Sequence, residues 1–237
     1  LRTVKKLGAN FYFSHKVKTV ENTGDEVVIT AENPKGELVT FTGDYCLMSV
    51  GRRPYTDGLQ AEKAGVQLTD RGQIQVNDHL QTTASNIYAI GDVVRGAMLA
   101  HKAEEEGIAV AEYLSGMKGH VDYNVIPAIV FTQPEVASVG FTEAQLQTTS
   151  VPYKSSKFPF SANSRAKAVH ETYGFVKLLC HAESGLVLGA HIIGSYAGAM
   201  IAQVAQAMKA RATAEDIART CHAHPTFSEA IKESAWG

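Results

Sequence analysis

The chain has 237 residues, 45% hydrophobic and 19% charged, which is ordinary for a globular protein able to bury a core in one large domain or a few small ones. A formal net charge of −2 with no Lys/Arg-rich run argues against a polyanion binder, so no nucleic acid partner is expected. The longest apolar runs, such as VIPAIVF, are far too short to cross a bilayer, and no basic-then-apolar leader is visible, so neither a membrane partner nor export is expected. Cys46, Cys180 and Cys221 are widely spaced and form no CxxC, which points to plain thiols in a reducing compartment rather than a disulfide framework.

In chain order, LRTVKKLG reads as the end of an amphipathic helix closed by Gly8. KVKTVEN and EVVITAEN read as strands with turns at Thr23-Gly24-Asp25 and Pro34-Lys35-Gly36, and ELVTFTGDYCLMSVG continues the meander. Its apolar run CLMSV predicts a strand buried on both faces. An opening on a helix end followed by only the last strands of a unit is expected of a piece of a longer protein. Residues 52–90 are short elements broken by turn signals; NIYAIGD then predicts a strand, and the helical spacing of AHKAEEEGIAVAEYLSG predicts a helix from near Met98. From about residue 123 strand-like runs dominate: AIVFTQPEVASVG, YKSSKFPF, YGFVKLLCH and GLVLGAHIIG. Helical segments AGAMIAQVAQAMKAR and AEDIART close the chain with FSEAIKESA. Separate blocks of strands and helices argue an α+β domain rather than another βαβ repeat.

Three stretches can carry chemistry. At the tip of NIYAIGD, Asp92 is placed to hydrogen-bond a sugar or polyol hydroxyl, and the N–H groups opening the next helix face an anion or a polar ring edge. The plain alternative is that Asp92 caps a turn. In LMSVGRRPYT, Gly51 permits close approach of a ligand to the backbone, and Arg52 and Arg53 are phosphate-binding types or solvated side chains.

The third stretch is CHAHPTFSEAI. Cys221, His222 and His224 are metal-ligand types, but neighbours on an extended segment point apart and no second cluster completes a site, so no metal is expected. Pro225 suits the first turn of a helix whose Phe227, Ala230 and Ile231 share one face. His224 and Glu229 are spaced to pair. A carboxylate on one imidazole nitrogen fixes the tautomer and makes the other nitrogen a better base. A catalytic dyad and a structural His–Glu pair both fit that spacing.

Taken in order, SVGRRPYT, NIYAIGDVVRGAMLAHKAEEEG, KFPFSANSRAK and CHAHPTFSEAI closely resemble the pyridine nucleotide-disulfide reductases, and within them the dihydrolipoyl dehydrogenases. The resemblance runs through essentially the whole chain. It implies a mixed α+β and α/β architecture: residues 1–52 as the tail of a Rossmann-like NAD domain, 53–122 as a central domain with part of the FAD site, and 123–237 as an α+β interface domain. It implies a homodimer that oxidises protein-bound dihydrolipoamide through a redox disulfide and FAD to NAD+, serving the lipoyl domains of 2-oxo acid dehydrogenase complexes. By position, Asp92, Met98, Leu99, Ala100 and His101 would contact FAD, Gly51 and Val17 would contact NAD, and His224 with Glu229 would be the proton acceptor and its partner. His222 is expected to be a structural neighbour, and Cys221 is not the redox thiol. The expected compartment is the cytoplasm, or the mitochondrial matrix for a eukaryotic source.

The family's glycine-rich GxGxxG loops and its close pair of redox cysteines do not occur in the chain. Gly185, Gly189, Gly194 and Gly198 lack that spacing. Residues 1–237 alone are therefore expected to be inactive and to hold FAD weakly. Two other readings share these motifs: a glutathione-type reductase using NADPH, and a non-catalytic dimerisation module.

Overall fold

The two turns of the N-terminal meander are built by asparagines. Asn22 Oδ1 accepts from the Gly24 N–H, and Asn33 Oδ1 accepts from the N–H groups of Lys35 and Glu37. Gly24 and Gly36 adopt the left-handed φ values, +97° and +84°, that such tight reversals require. In a computed structural model describing residues 1–237, these turns join β1 (Lys16–Asn22), β2 (Val27–Glu32) and β3 (Leu38–Gly43) into an antiparallel sheet of order β1-β2-β3. Helix α1 (Arg2–Lys6) precedes them, and the Gly8 N–H closes it on the Lys5 carbonyl at 3.1 Å, as the sequence predicts. The chain divides into two units, Leu1–Arg52 and Arg53–Gly237.

CLMSV corrects an expectation. Residues 44–52 form no strand, and Tyr45, Leu47 and Val50 are 94%, 89% and 84% exposed. An apolar run becomes a strand only where a neighbouring strand takes up its N–H and C=O groups, and none pairs with it here. NIYAIGD is a second correction. Only Tyr88 bridges another residue, Gln81, and the segment otherwise runs extended between short turns. Its neighbours reverse every few residues, so no long ladder can form. Ala61, Val66, Ile74, Leu80, Ala89 and Val94 nevertheless pack into a small core, from which a single 3-10 turn, Gly91–Val93, leads toward helix α2 (Ala100–Leu114).

The larger core lies under a five-stranded antiparallel sheet of order β4-β5-β8-β7-β6. Its strands are β4 (Ala128–Val130), β5 (Glu135–Gly140), β6 (Tyr153–Pro159), β7 (Phe175–His181) and β8 (Val187–Gly194). Short helices α3 (Glu143–Gln147) and α4 (Ser164–Ala168) lie in its connections. Val139, Val176, Leu178, Ala190 and Ile192 share one cluster with Met200, Ile201 and Val204 of α5 (Ala197–Lys209) and Ala230 and Ile231 of α7 (Glu229–Trp236). Helix α6 (Ala214–Arg219) is opened by a capping box, with Asp216 N–H donating to Thr213 Oγ1 and Thr213 N–H donating to Asp216 Oδ2. The α+β expectation holds. Helices α5 and α7 cover one face of the sheet and fix where the loop between α6 and α7 emerges.

Candidate functional site

The α6–α7 loop carries His224. Its Nδ1 donates to Glu229 Oε1 at 2.8 Å, while the Thr226 N–H donates to Glu229 Oε2 at 2.8 Å. Because the carboxylate only accepts, Nδ1 carries the proton and the Nε2 lone pair is left free. The His224 side chain is 67% exposed and that of Glu229 is 21% exposed, so the ring is presented while its anchor is sheltered. Glu229 is held below its ordinary 4.5, first by the Thr226 N–H and then by the bond from His224. The carboxylate therefore stays ionised at neutral pH and keeps the tautomer fixed.

The expected helix start at Pro225 needs correcting. Residues 225–228 form a turn, and α7 begins at Glu229. The Glu229 carboxylate, on the first residue of α7, reaches back to accept from the Thr226 N–H. Phe227, Ala230 and Ile231 are buried together as the spacing predicts.

The loop is also held from outside. Asn163, 4% exposed, accepts from the Ala166 N–H at the start of α4 and donates its Nδ2 to the Thr226 carbonyl at 3.0 Å. Phe160 packs edge-on to Phe227 with ring centres 5.8 Å apart. A Cβ at Gly194 would lie 2.5 Å from the Phe160 ring, so the glycine makes that position possible. This is what FPFSANSRA does in the fold: it ties the histidine loop to the sheet. His222 Nδ1 donates to the Thr220 carbonyl, and the residue lines a 590 Å³ cleft with Cys221, Thr226 and Gln203.

The second site gathers Asp92 with Met98, Leu99, Ala100 and His101 at the two ends of one loop. Asp92 is exposed and forms no hydrogen bond or ion pair within the chain. No side chain caps the first turn of α2 and no acidic residue lies in it, so its N–H groups are open to an outside acceptor. His101 Nε2 donates to the Pro127 carbonyl at 2.8 Å, which fixes that ring. A cavity of about 400 Å³ beside the helix start is lined by Arg95, Gly96, Leu99, Lys102, Tyr123 and Ile126. A free carboxylate, unpaired N–H donors and an adjoining mainly apolar cavity fit a flavin carrying ribityl hydroxyls and a polar ring edge.

Sequence reasoning missed what supports this loop: Lys102, Glu106 and Tyr123. Lys102, Glu106 and Ala109 are buried along one stripe of α2, so the helical phase of the apolar positions was the available signal. It was masked by Glu104 and Glu105, which are exposed. In the first unit, Val17 lies exposed on β1 and Gly51 has φ +98° in the irregular segment. No atom lies within 4 Å of a Cβ built at Gly51, so its conformation, not crowding, requires the glycine.

Comparison with known proteins gives the family. Residues 1–107 match the pyridine nucleotide-disulphide oxidoreductase domain, and residues 126–235 match the dimerisation domain of the same family. Over 235 residues the chain is 50% identical to the mitochondrial dihydrolipoyl dehydrogenase of Pisum sativum, covering 99% of this chain and 47% of the pea protein. The crystal structure of LpdA from Mycobacterium tuberculosis superposes with a TM-score of 0.92 at 30% identity, covering 99% of this chain and 50% of that one. The HOCl-induced flavoprotein disulfide reductase RclA of Escherichia coli gives 0.88 at 25% identity, covering 99% of this chain and 53% of that one. The chain thus spans about half the length of the relatives it matches. It belongs to the pyridine nucleotide-disulphide oxidoreductases.

Proposed function

We propose that these residues form part of a homodimeric dihydrolipoyl dehydrogenase, which oxidises protein-bound dihydrolipoamide and reduces NAD+. The observation that carries this reading is an exposed imidazole whose Nδ1–H is fixed on a sheltered carboxylate, leaving Nε2 as the acceptor. A dithiol must lose a proton before it attacks a disulfide, because the thiolate is the nucleophile. His224 would take that proton at Nε2 and hold it beside the new thiolate, and Glu229 would stabilise the imidazolium formed. Asp92 and residues 98–101 would hold FAD, with Asp92 on a hydroxyl and the α2 N–H groups on the polar ring edge. FAD supplies the two-electron chemistry between the disulfide and NAD+. Gly51 and Val17 are proposed to contact NAD.

The redox cysteine pair and a GxGxxG loop do not occur among the 237 residues, so both would come from chain outside them. Residues 1–237 by themselves are accordingly expected to show no turnover. The substrate partner is a lipoyl domain of a 2-oxo acid dehydrogenase complex. The compartment is the cytoplasm in a bacterial source or the mitochondrial matrix in a eukaryotic one, the latter in line with the name of the pea relative. No helix is long and apolar enough to cross a membrane.

The deciding experiment is His224→Gln in the complete flavoprotein, assayed with dihydrolipoamide and NAD+ while the dimer mass is measured. Loss of a positioned general base lowers kcat about a hundredfold or more. An unchanged rate with the dimer intact would leave His224–Glu229 as a structural pair in a dimerisation module. NADPH-dependent reduction of glutathione disulfide in the same preparation would instead favour the glutathione-type reductase.

A further inference from the structure

Gly91 is a left-handed residue, φ +76°, at the base of the Asp92 loop, and both of its backbone polar groups are bound by charged side chains. Its N–H donates to Glu106 Oε2 at 2.7 Å, and its carbonyl accepts from Lys102 Nζ at 3.0 Å. Lys102 Nζ also lies 2.9 Å from Glu106 Oε1, which accepts from the Tyr123 hydroxyl at 2.9 Å. The two charged side chains are 1% and 0% exposed. The aliphatic part of Lys102 runs under the far side of the loop, where a Cβ on Gly96 would lie 3.1 Å from its Cε. One lysine therefore binds the base of the loop at Gly91 and lies close beneath Gly96, in a loop that exposes Asp92, Gly96 and Ala97.

Helix stability does not explain this pair. Lysine preceding glutamate at i,i+4 is the weaker orientation on a helix surface, and burying both charges carries a desolvation cost that the attraction alone need not recover. What the pair does supply is a donor and an acceptor for a backbone that has turned out of any ladder in a dry place. Tyr123 completes the set as a donor, since burial first and Glu106 second raise its hydroxyl to about 12 and keep it protonated.

We propose that Lys102, Glu106 and Tyr123 are positioning residues that clamp Gly91, and so hold Asp92 and the opening of α2 in the geometry that grips the flavin. This rests on the reading of Asp92 and residues 98–101 as the flavin site. None of the three needs to touch the flavin for the clamp to act.

The test uses the complete flavoprotein with Lys102→Met, Glu106→Gln, Tyr123→Phe and Asp92→Ala, each checked for dimer mass and circular dichroism. Two quantities are measured: the rate of flavin release, and amide hydrogen exchange at Gly91 and Asp92 after the flavin is stripped. The clamp predicts release faster by about tenfold in Lys102→Met and about threefold in Tyr123→Phe, as expected for losing a buried hydrogen bond to a charged group and a single hydroxyl respectively. It also predicts faster Gly91 exchange in the stripped protein. Should Lys102→Met not fold, Tyr123→Phe and Glu106→Gln decide by the same two readouts. Flavin release and Gly91 exchange both at the wild-type level in the folded variants would overturn the clamp. Faster Gly91 exchange with normal flavin release, while Asp92→Ala loses flavin, would overturn the link between clamp and flavin. Retention of flavin by Asp92→Ala would instead overturn the site reading on which the link depends.

Discussion

Two loops in the second unit present polar groups to solvent, and each has a backbone N–H held by a glutamate carboxylate, but one carboxylate is fully buried in an ion pair with a lysine and the other is partly exposed beside a histidine. The Gly91–Leu99 loop rests on a buried ion pair with almost no exposure, so its support is charged and its working surface is backbone and one free carboxylate. The loop from Thr220 to Ser228 rests on apolar packing and the Asn163 hydrogen bond from outside, with one partly sheltered carboxylate, Glu229, as its only charged support, and it exposes its imidazole. A binding surface built from backbone needs a rigid floor, because its donors cannot turn to find a ligand. An imidazole that is to exchange a proton, as proposed for His224, needs only one nitrogen fixed, provided the other can be reached.

Perturbing the two supports should break this contrast unevenly. Lys102→Met should have the largest effect on stability, about 3–5 kcal/mol by chemical denaturation, because it leaves Glu106 as an uncompensated buried charge. Adding Glu106→Leu should recover only part of that loss, since Gly91 and Tyr123 would still lack their partners; full recovery would reduce the clamp to a simple ion pair. Asn163→Ala should cost about 1–3 kcal/mol, because it removes the cap of α4 and frees the Thr226 carbonyl. In the complete enzyme it should also lower kcat while leaving flavin content unchanged. Tyr123→Phe should cost about 1 kcal/mol.

The smallest effect is in pH. Glu229 is lowered on folding, so its stabilisation of the loop is complete above its ordinary 4.5 and is lost as pH falls through the lowered folded value. Thr226 amide exchange, compared between wild type and Glu229→Gln, checks this. In wild type, protection of Thr226 should persist through neutral pH and fail only in acid. In Glu229→Gln it should be weak throughout.

Most of the fold could be read from local chemistry. The Gly-containing turns of the meander, the helix-ending Gly8, the helix α5 and the apolar face of α7 are decided by nearby residues, and they appear where the patterns put them. The His224–Glu229 pair was legible for the same reason, since both partners lie within one loop and the helix it enters. CLMSV was misread because its apolar run carries no information about whether a strand lies beside it. Pro225 lies ahead of the helix rather than in its first turn because its local preference does not by itself fix where the helical hydrogen bonds begin, and α7 starts at Glu229.

The sequence by itself determined that the imidazole of His224 and the carboxylate of Glu229 would meet, because only a few residues of chain separate them. Only the tertiary structure decided that Lys102 and Glu106 would leave water to hold Gly91, and that Asn163 would reach Thr226 from another part of the chain. Burial of a charge depends on partners brought together by folding, and the spacing of those partners along the chain does not reveal it.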